Sequence, residues 1–353
     1  EDAVAGAAKL LAGAKAPMVF IGSGAVDSGE AIQALAEILQ APVIANRTGR
    51  GIVSNRNYLS MMHLEGHRLW ADADVVLAVG TRLQPARMNW GTGGDLKIIH
   101  VDIDPVEIKR IATPDVAIVG DAQDIVPALV DAVARQAPSR ASREDELMAL
   151  RGDVHAMLLD RLGPQMSWIK VIREALDDDG IFVDELTQVG YVSRVAMPVY
   201  QPRKYLSSAY QGTLGCGLGV AIGAKIANPD RQVLSINGDG GFMYNVQELA
   251  TAAKYNVNVV AIVFVDGAYG NVRRMQEELY DGRIIASDLQ NPDFVKMAGS
   301  FGCAAYRADS PDELAKVLPN AFKEAGPAVI EVPFPKTPDP WPIIIPRHNR
   351  PSG

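Results

Sequence analysis

The chain has 353 residues, of which 48% are apolar and 22% charged, and its formal net charge is −8 at pH 7. This length predicts two globular domains, each large enough to bury a core of its own. The negative charge argues against nucleic acid or an anionic membrane surface as the main partner, since both repel an acidic protein.

Cysteine content and apolar patterning bear on the compartment. The two cysteines, Cys216 and Cys303, supply no disulfide framework and suit a reducing environment. No stretch approaches the ~20 consecutive apolar residues of a membrane helix, and the first residues lack the basic region of a signal peptide. We therefore expect a cytoplasmic protein.

The first part of the chain alternates helical and buried-strand patterns. A helix is predicted over residues 3–15, and a strand over 18–21 ends in the turn Gly22-Ser23-Gly24. Strands that alternate with helices and end in small or polar turns predict an α/β domain, in which helices cover both faces of a doubly wound, Rossmann-like parallel sheet. Further buried strands of this sheet are predicted at 42–44, 75–79 and 98–102.

The turn Gly22-Ser23-Gly24 has two interpretations. It could cradle a dinucleotide, but the residues that follow do not complete the six-residue glycine fingerprint. A plain connection between strand and helix is the favoured interpretation. The same gap, together with the lack of an acidic residue at the right offset, argues against an NAD-dependent dehydrogenase.

A polar run without strand pattern at residues 136–146 predicts a domain boundary. A connecting helix is predicted over 144–162, with Gly163-Pro164 closing it, and the proline-rich C-terminus is predicted to be extended. The expected division is a first domain at 1–140, a linker at 141–165, a second domain at 166–335 and a tail at 336–353.

The second part of the chain repeats the α/β pattern. A glycine-rich stretch at 212–219 leads into an apolar helix at 220–227, and a single helix is predicted over 242–254. A second doubly wound parallel sheet is therefore expected. Its strands are predicted at 181–183, 233–236, 257–265, 303–305 and 328–332.

Two carboxylates follow neighbouring strands of this second sheet. Asp239 lies in a Gly-Asp-Gly-Gly turn and Asp266 follows the strand at 257–265. Parallel strands end at one edge, and open α/β sheets bind ligands there. Glycines let backbone N–H groups approach a phosphate, and carboxylates bind hard divalent cations. The sequence therefore predicts a metal–diphosphate site.

The fifteen residues Gly-Asp-Gly-Gly-Phe-Met-Tyr-Asn-Val-Gln-Glu-Leu-Ala-Thr-Ala at 238–252 resemble the thiamine-diphosphate enzymes of the acetolactate synthase and 2-oxo acid decarboxylase superfamily. The resemblance extends over essentially the whole chain. It implies two doubly wound domains, a middle domain and a diphosphate-binding domain. It also implies thiamine diphosphate as the cofactor, with Asp239 binding the Mg²⁺ that holds the diphosphate.

The second metal ligand departs from the family pattern. Family members carry an Asn pair where this chain has Val265-Asp266, and Asn271 is out of register with that pair. Asp266 takes the place of the second Asn, and a carboxylate oxygen is as good a hard ligand as an amide oxygen. The metal set implied by the resemblance is therefore Asp239, Asp266 and the backbone carbonyl of Ala268.

Other positions carry over from the family one at a time. Thr187 and Gln188 match residues that donate to the diphosphate, although they could simply cap a helix. Gly212 matches a glycine whose carbonyl accepts from the 4′-amino group of the pyrimidine ring, and Leu214 matches the wedge that gives the cofactor its V shape. The remaining implied cofactor contacts are Gly238, Gly240, Gly241, Tyr269 and Gly270.

Two residues after the metal turn concern the reaction. Asn271 and Val272 match positions that point toward the reacting carbon, so the resemblance implies a catalytic role for Asn271 beside that of Leu214. Pyruvate decarboxylases carry a Glu where Val272 stands and use it to handle protons. The absence of that Glu favours carboligation over simple release of an aldehyde.

The first domain resembles the middle domain of the family, which binds FAD in acetolactate synthases. Two segments that accompany FAD there are not reproduced at 61–66 and 82–86, and this argues against FAD here. The segments that carry the resemblance are 22–25, 41–43, 49–51, 79–82 and 100–105.

The family also has an N-terminal α/β domain that supplies a Glu to the pyrimidine ring, and no stretch of this chain matches it. We expect that a longer chain or a separate polypeptide supplies it, in a homodimer or homotetramer. The predicted function is decarboxylation or carboligation of a small-molecule 2-oxo acid. The alternative, motivated by Asp266 and by the unmatched domain, is a non-catalytic cofactor- or nucleotide-binding protein that retains the fold.

Overall fold

The computed structural model describes residues 2–208 and 211–351, and the chain divides into two compact units. The first unit contains the chain up to Asp160 together with two short segments, Pro198–Lys204 and the residues from Trp341 onward. The second unit contains Arg161–Met197 and Tyr205–Pro340.

The first unit is built on six parallel strands in the order β3-β2-β1-β4-β5-β6. The chain moves outward from β1 to β3 and then returns to the other side of β1, so β1 and β4 flank the topological switch point. The strands are β1 Pro17–Ile21, β2 Val43–Ala45, β3 Ser60–Met61, β4 Val75–Val79, β5 Lys97–Asp102 and β6 Val116–Val119. The helices are α1 Asp2–Gly13, α2 Gly29–Leu39, α3 His63–Trp70, α4 Pro105–Lys109 and α5 Ala122–Ala134, with a π-helical turn at Ala86–Trp90.

The second unit has six parallel strands in the order β11-β12-β10-β9-β7-β8. Here the switch point lies between β7 and β9, because the chain runs from β7 to β8 on one side and returns to β9 on the other. The strands are β7 Ile181–Asp184, β8 Tyr205–Ser207, β9 Val233–Gly238, β10 Val260–Val265, β11 Ala304–Arg307 and β12 Ala328–Pro333. The helices are α6 Glu144–Ala175, which begins in the first unit, α7 Gln188–Ala196, α8 Cys216–Ala227, α9 Asp239–Tyr244, α10 Glu248–Lys254, α11 Gly270–Leu279, α12 Phe294–Ser300 and α13 Pro311–Ala321.

The predicted fold class, two doubly wound parallel α/β domains, is confirmed. The central strands β1 and β4 are buried at every residue, as expected of a parallel sheet with helices on both faces. The prediction that the strands before Asp239 and Asp266 are neighbours is also confirmed, since β9 and β10 pair in parallel with Gly238 opposite Phe264.

The connecting helix predicted over 144–162 ends where it was predicted to end. Helix α6 consists of two helical segments that meet at Leu162, whose φ of −130° and ψ of 29° are not helical. Pro164 then lies in the first turn of the second segment, where a missing N–H removes no helical hydrogen bond. The proline therefore marks both the end of the connecting helix and the start of the segment that follows.

The single helix predicted over 242–254 is two helices, α9 and α10. The chain leaves helical geometry at Asn245, whose side chain donates to the carbonyl of Gly215 at 2.7 Å. An Asn that bonds elsewhere competes with the helix for the backbone, so a tertiary contact divides the apolar pattern. Helix α9 also begins earlier than predicted, at Asp239 itself.

The C-terminal residues are only partly the extended tail that was predicted. A short helix, α14 Trp341–Ile344, precedes an irregular run that belongs to the first unit. In this run Arg350 donates to the carbonyl of Trp70 at 2.9 Å, and the N–H of Gly93 donates to the carbonyl of Pro351 at 2.8 Å. A hydrogen bond from the Arg350 guanidinium and one between backbone groups thus fix the run on its unit.

Both cysteines are free thiols, in agreement with the absence of a disulfide framework. Within residues 2–208 and 211–351, no helix combines the length and the apolar character needed to cross a membrane.

Candidate functional site

Asp239 lies at the carboxyl end of β9 and is 2% exposed. Its carboxylate accepts three hydrogen bonds. Oδ1 accepts from the N–H of Gly240 at 2.8 Å, and Oδ2 accepts from the N–H of Gly267 at 2.8 Å and from Nδ2 of Asn291 at 2.7 Å. These donors stabilise an ionised carboxylate that is otherwise removed from water.

Asp266, at the end of β10, lies beside Asp239, because β9 and β10 are paired and the N–H of the next residue, Gly267, donates to Oδ2 of Asp239. Burial, followed by the charge of Asp239, raises the pKa of Asp266 from its ordinary value to about 6. Among the described residues no Lys or Arg forms an ion pair with either carboxylate. Two adjacent acids without a cation are an arrangement that a divalent metal ion would stabilise.

The loop between β10 and α11 brings a backbone carbonyl to the same place. Ala268 and Asp288 form an isolated antiparallel bridge, in which Tyr269 and Leu289 make the flanking hydrogen bonds. A residue in this position points its own N–H and C=O away from its partner. The N–H of Ala268 accordingly donates to Oδ1 of Asp266 at 3.2 Å, so its carbonyl faces the carboxylate side of the loop.

The oxygen atoms of Asp239, Asp266 and Ala268 fit a hard divalent cation. Mg²⁺ is usually held by one or two carboxylates together with phosphate and water oxygens, rather than by a cage made wholly of protein ligands. The part of the chain that the structure describes contains no group of three or more His, Cys, Asp or Glu placed to hold a metal.

Thr187, at the start of α7, takes the capping role that the sequence left open, and this role is compatible with the other. Its Oγ1 accepts from the N–H of Gly190 at 2.8 Å, so it caps the helix. The hydroxyl hydrogen is not used by this bond and can still donate to a phosphate. The next residue, Gln188, has a buried Oε1 with no hydrogen-bond partner among the described residues.

The segment with Gly212 and Leu214 precedes α8. Gly212 has a φ of +62°, a backbone geometry that favours glycine, and Leu214 is half-buried. On α11, the side chain of Asn271 is engaged by Arg274, whose Nη2 donates to Oδ1 at 3.2 Å. The structure thus joins Asp239 and Asp266 to the Ala268 loop, whereas the Asn271 side chain bonds to Arg274 and Leu214 lies on the segment before α8.

Glu185 is a buried acid that was not among the site residues predicted from the sequence. It is 1% exposed, follows β7, and accepts from the N–H of Gly215 at 2.7 Å and of Gly217 at 2.9 Å. Burial raises its pKa, although the two N–H donors oppose the change. Glu185 therefore ties the end of β7 to the start of α8. Two consecutive acids directly after a buried strand, Asp184-Glu185, were the available signal.

The glycines of the Gly-Asp-Gly-Gly turn differ in how closely other atoms approach them. A Cβ on Gly240 would lie 2.5 Å from the ring of Tyr269, and one on Gly241 would lie 1.9 Å from Oε1 of Glu185, so both are required by packing. On Gly238 the nearest atom would be 3.6 Å away. Gly270 similarly makes room for Asp266, whose Oδ2 would be 2.6 Å from a Cβ there.

Comparison with protein families matches both units. The thiamine pyrophosphate enzyme central domain matches residues 4–129, and the C-terminal, thiamine pyrophosphate-binding domain of the same enzymes matches residues 187–332. The chain therefore belongs to the family of thiamine-diphosphate enzymes and contains these two of its domains.

The relatives of this chain carry the names of two kinds of enzyme. The probable 2-ketoarginine decarboxylase of Pseudomonas aeruginosa is 33% identical over 94% of this chain and 60% of its own length. The probable acetolactate synthase large subunit of Methanococcus aeolicus is 33% identical over 90% and 57%, and the acetolactate synthase isozyme 1 large subunit of Escherichia coli is 29% identical over 98% and 63%. The chain thus spans about three fifths of the relatives it matches.

Proposed function

We propose that this chain forms the diphosphate- and metal-binding part of an enzyme that decarboxylates a 2-oxo acid with thiamine diphosphate. The observation that carries the proposal is that one loop donates to both carboxylates, from the Gly267 N–H to Asp239 and from the Ala268 N–H to Asp266. These oxygens are the Mg²⁺ ligands that we assign. The substitution of Asp266 for the usual Asn keeps an oxygen ligand in place.

Bound thiamine diphosphate supplies the nucleophilic carbon and the electron sink for the loss of CO₂ from a 2-oxo acid. The chain's own residues bind and orient it. In this assignment Asp239, Asp266 and the Ala268 carbonyl would hold the metal beside the diphosphate. The Thr187 hydroxyl, whose oxygen caps α7, would donate to the diphosphate. The Gly212 carbonyl and the Leu214 side chain are assigned to the pyrimidine ring and to the wedge between the two rings.

The chemistry after CO₂ loss depends on which groups lie near the reacting carbon. Val272, on the first turn of α11, is 47% exposed, and its side chain has no ionisable group that could donate a proton. Next to it, Asn271 presents an amide that is held by Arg274. An apolar side chain here supplies no acid to release an aldehyde, so we favour addition to a second carbonyl compound, as in the named acetolactate synthase relatives.

The test measures cofactor binding rather than turnover, because the chain spans about three fifths of its relatives. Thiamine diphosphate is titrated calorimetrically into the 353-residue chain with MgCl₂ or with EDTA, using wild type, Asp239→Asn and the exposed-loop control Asp230→Asn. We expect Mg²⁺-dependent binding that Asp239→Asn weakens about 100-fold or more and that Asp230→Asn leaves unchanged.

Two results would contradict the proposal. Binding of thiamine diphosphate that does not depend on Mg²⁺ would exclude a metal-mediated site, and equal affinity in wild type and Asp239→Asn would exclude Asp239 as a ligand. The alternative of a non-catalytic nucleotide-binding protein predicts that ADP competes with thiamine diphosphate at similar concentrations, whereas a dedicated cofactor site does not.

A further inference from the structure

The residues after α11 lie against the loop that carries the assigned metal ligands. We call Ser287–Asn291 the 287–291 segment. Its Ser287 carbonyl accepts from the N–H of Tyr269 at 2.8 Å, and its Leu289 N–H donates to the carbonyl of Gly267 at 2.8 Å. The segment therefore fixes the backbone on both sides of Ala268.

Helix α11 holds the 287–291 segment from the other side. Oε1 of Gln276 accepts from the Ser287 hydroxyl at 3.0 Å, and Nε2 of Gln276 donates to the carbonyl of Ile285 at 3.0 Å. Arg273 forms an ion pair with Asp288. Since Ser287 is fully buried, these contacts anchor the segment at its start.

At its other end the 287–291 segment reaches the assigned metal ligand Asp239. Nδ2 of half-buried Asn291 donates to Oδ2 of Asp239 at 2.7 Å, across 52 residues of sequence. The Asn291 amide turns its NH₂ group toward Asp239, because a carboxylate oxygen accepts hydrogen bonds and does not donate them. The same oxygen also accepts from the Gly267 N–H. The same short segment thus contacts the Ala268 loop and the Asp239 carboxylate.

We propose that Asn291 is a positioning residue of the metal site and that it acts through Asp239. An ionised carboxylate has about four lone-pair directions, and the bonds from Gly240, Gly267 and Asn291 occupy three of them. One direction then remains for a metal ion. Without Asn291 the carboxylate can rotate, and it loses a donor that offsets its repulsion from Asp266.

This inference rests on the proposed function, since it assumes that Asp239 binds a metal. Partners that orient metal ligands typically cost 10–100-fold in metal affinity when they are removed. Asn291 has a matched neighbour for comparison, because Gln290 belongs to the same segment and its side chain is exposed. A structural contribution of the segment as a whole can therefore be separated from the contribution of the Asn291 amide.

The experiment is a Mn²⁺ titration followed by electron paramagnetic resonance, in which free Mn²⁺ gives the signal. Wild type, Asn291→Ala, Gln290→Ala and Asp239→Asn are compared as 353-residue chains, and each melting temperature is measured in EDTA. We expect Asn291→Ala to weaken Mn²⁺ binding 10–100-fold and Gln290→Ala to change it less than twofold. In EDTA we expect the two variants to melt within a few degrees of each other.

Equal Mn²⁺ affinity in Asn291→Ala and Gln290→Ala, with binding lost in Asp239→Asn, overturns this inference and leaves the proposed metal site intact. Wild-type affinity in Asp239→Asn overturns both. If Asn291→Ala does not fold, Asn291→Ser provides the same test, because its hydroxyl is too short to replace the amide. A loss of affinity in that variant supports the proposal, and unchanged affinity overturns it.

Discussion

Both units contain a six-stranded parallel sheet, and glycines follow strands at the carboxyl edge of each. In the first unit a Cβ on Gly22 would lie 2.4 Å from the carbonyl oxygen of Gly80, and one on Gly80 would lie 2.5 Å from Gly24. These glycines are required so that two loops can pack together. In the second unit Gly241 is packed as closely, whereas no atom lies within 4 Å of a Cβ built on Gly267, in the loop after β10. Close packing of glycines is therefore common to both edges.

Charged groups distinguish the two edges. In the first unit Arg82 pairs with Glu107 at 3.0 Å beyond the end of β4, so opposite charges satisfy each other. In the second unit Asp239 and Asp266 follow adjacent strands, and the charge of Asp239 contributes to the raised pKa of Asp266. The two sheets differ in strand order but share parallel strands and closely packed glycines. Two acids that form no ion pair with a described Lys or Arg lie at the edge of the second sheet, and function follows the site rather than the fold.

The largest expected effect compares one closely packed glycine from each edge. Gly241→Ala and Gly22→Ala should each destabilise the chain by about 3 kcal/mol, because the added Cβ meets Glu185 or a backbone carbonyl. Only Gly241→Ala should also abolish Mg²⁺-dependent binding of thiamine diphosphate. Urea denaturation and calorimetry measure the two effects.

Gly299→Ala is the matched control, since it lies in α12 with no atom within 4 Å of its Cβ position. It should be neutral or stabilising by about 0.5 kcal/mol, as for Gly to Ala within a helix. Loss of cofactor binding in Gly22→Ala at a temperature where the variant is folded would remove the proposed difference between the two edges.

A smaller effect concerns pH and the first unit. Burial, with the nearby charges of His67 and Arg47, lowers the pKa of His63 to about 4, and its ring lies 4.8 Å from that of Trp90. The unfolded chain binds a proton near the ordinary pKa of about 6.5, before the folded chain does. Stability is therefore lost as the pH falls from 6.5 toward 4.

Between pH 7 and pH 5 the free energy of unfolding should fall by about 1–2 kcal/mol. The lower part of this range applies if solvent screens the charge, because the His63 side chain is half-buried. Urea denaturation of His63→Asn should show a weaker pH dependence than wild type, whereas the exposed-site variant His155→Asn should match wild type. An unchanged pH dependence in His63→Asn would show that other groups cause it.

Much of the fold was predictable because buried parallel strands give continuous apolar runs. Strands that lack such runs were not predicted. In β6, Ile118 alone is buried, and β3 has only two residues. The edge strand β8 is three residues long and half-buried beyond Tyr205. Short or exposed strands have too few buried positions to produce a periodic pattern.

The candidate site divides in the same manner. The closeness of Asp239 and Asp266 could be predicted, since each follows an apolar run and adjacent parallel strands end together. The roles of Glu185 and Asn291 could not, because their hydrogen bonds join residues 30 and 52 positions apart along irregular loops. Such contacts depend on tertiary packing, for which residue types and spacing give no signal.

The measurement that tests the central claim most directly is Mg²⁺-dependent binding of thiamine diphosphate by Asp266→Asn and Asp266→Ala. If Asp266 supplies an oxygen ligand in place of the usual amide, Asp266→Asn should bind within about tenfold of wild type, while Asp266→Ala should lose binding about 100-fold or more. Wild-type affinity in Asp266→Ala, or an equal loss in both variants, would contradict the account.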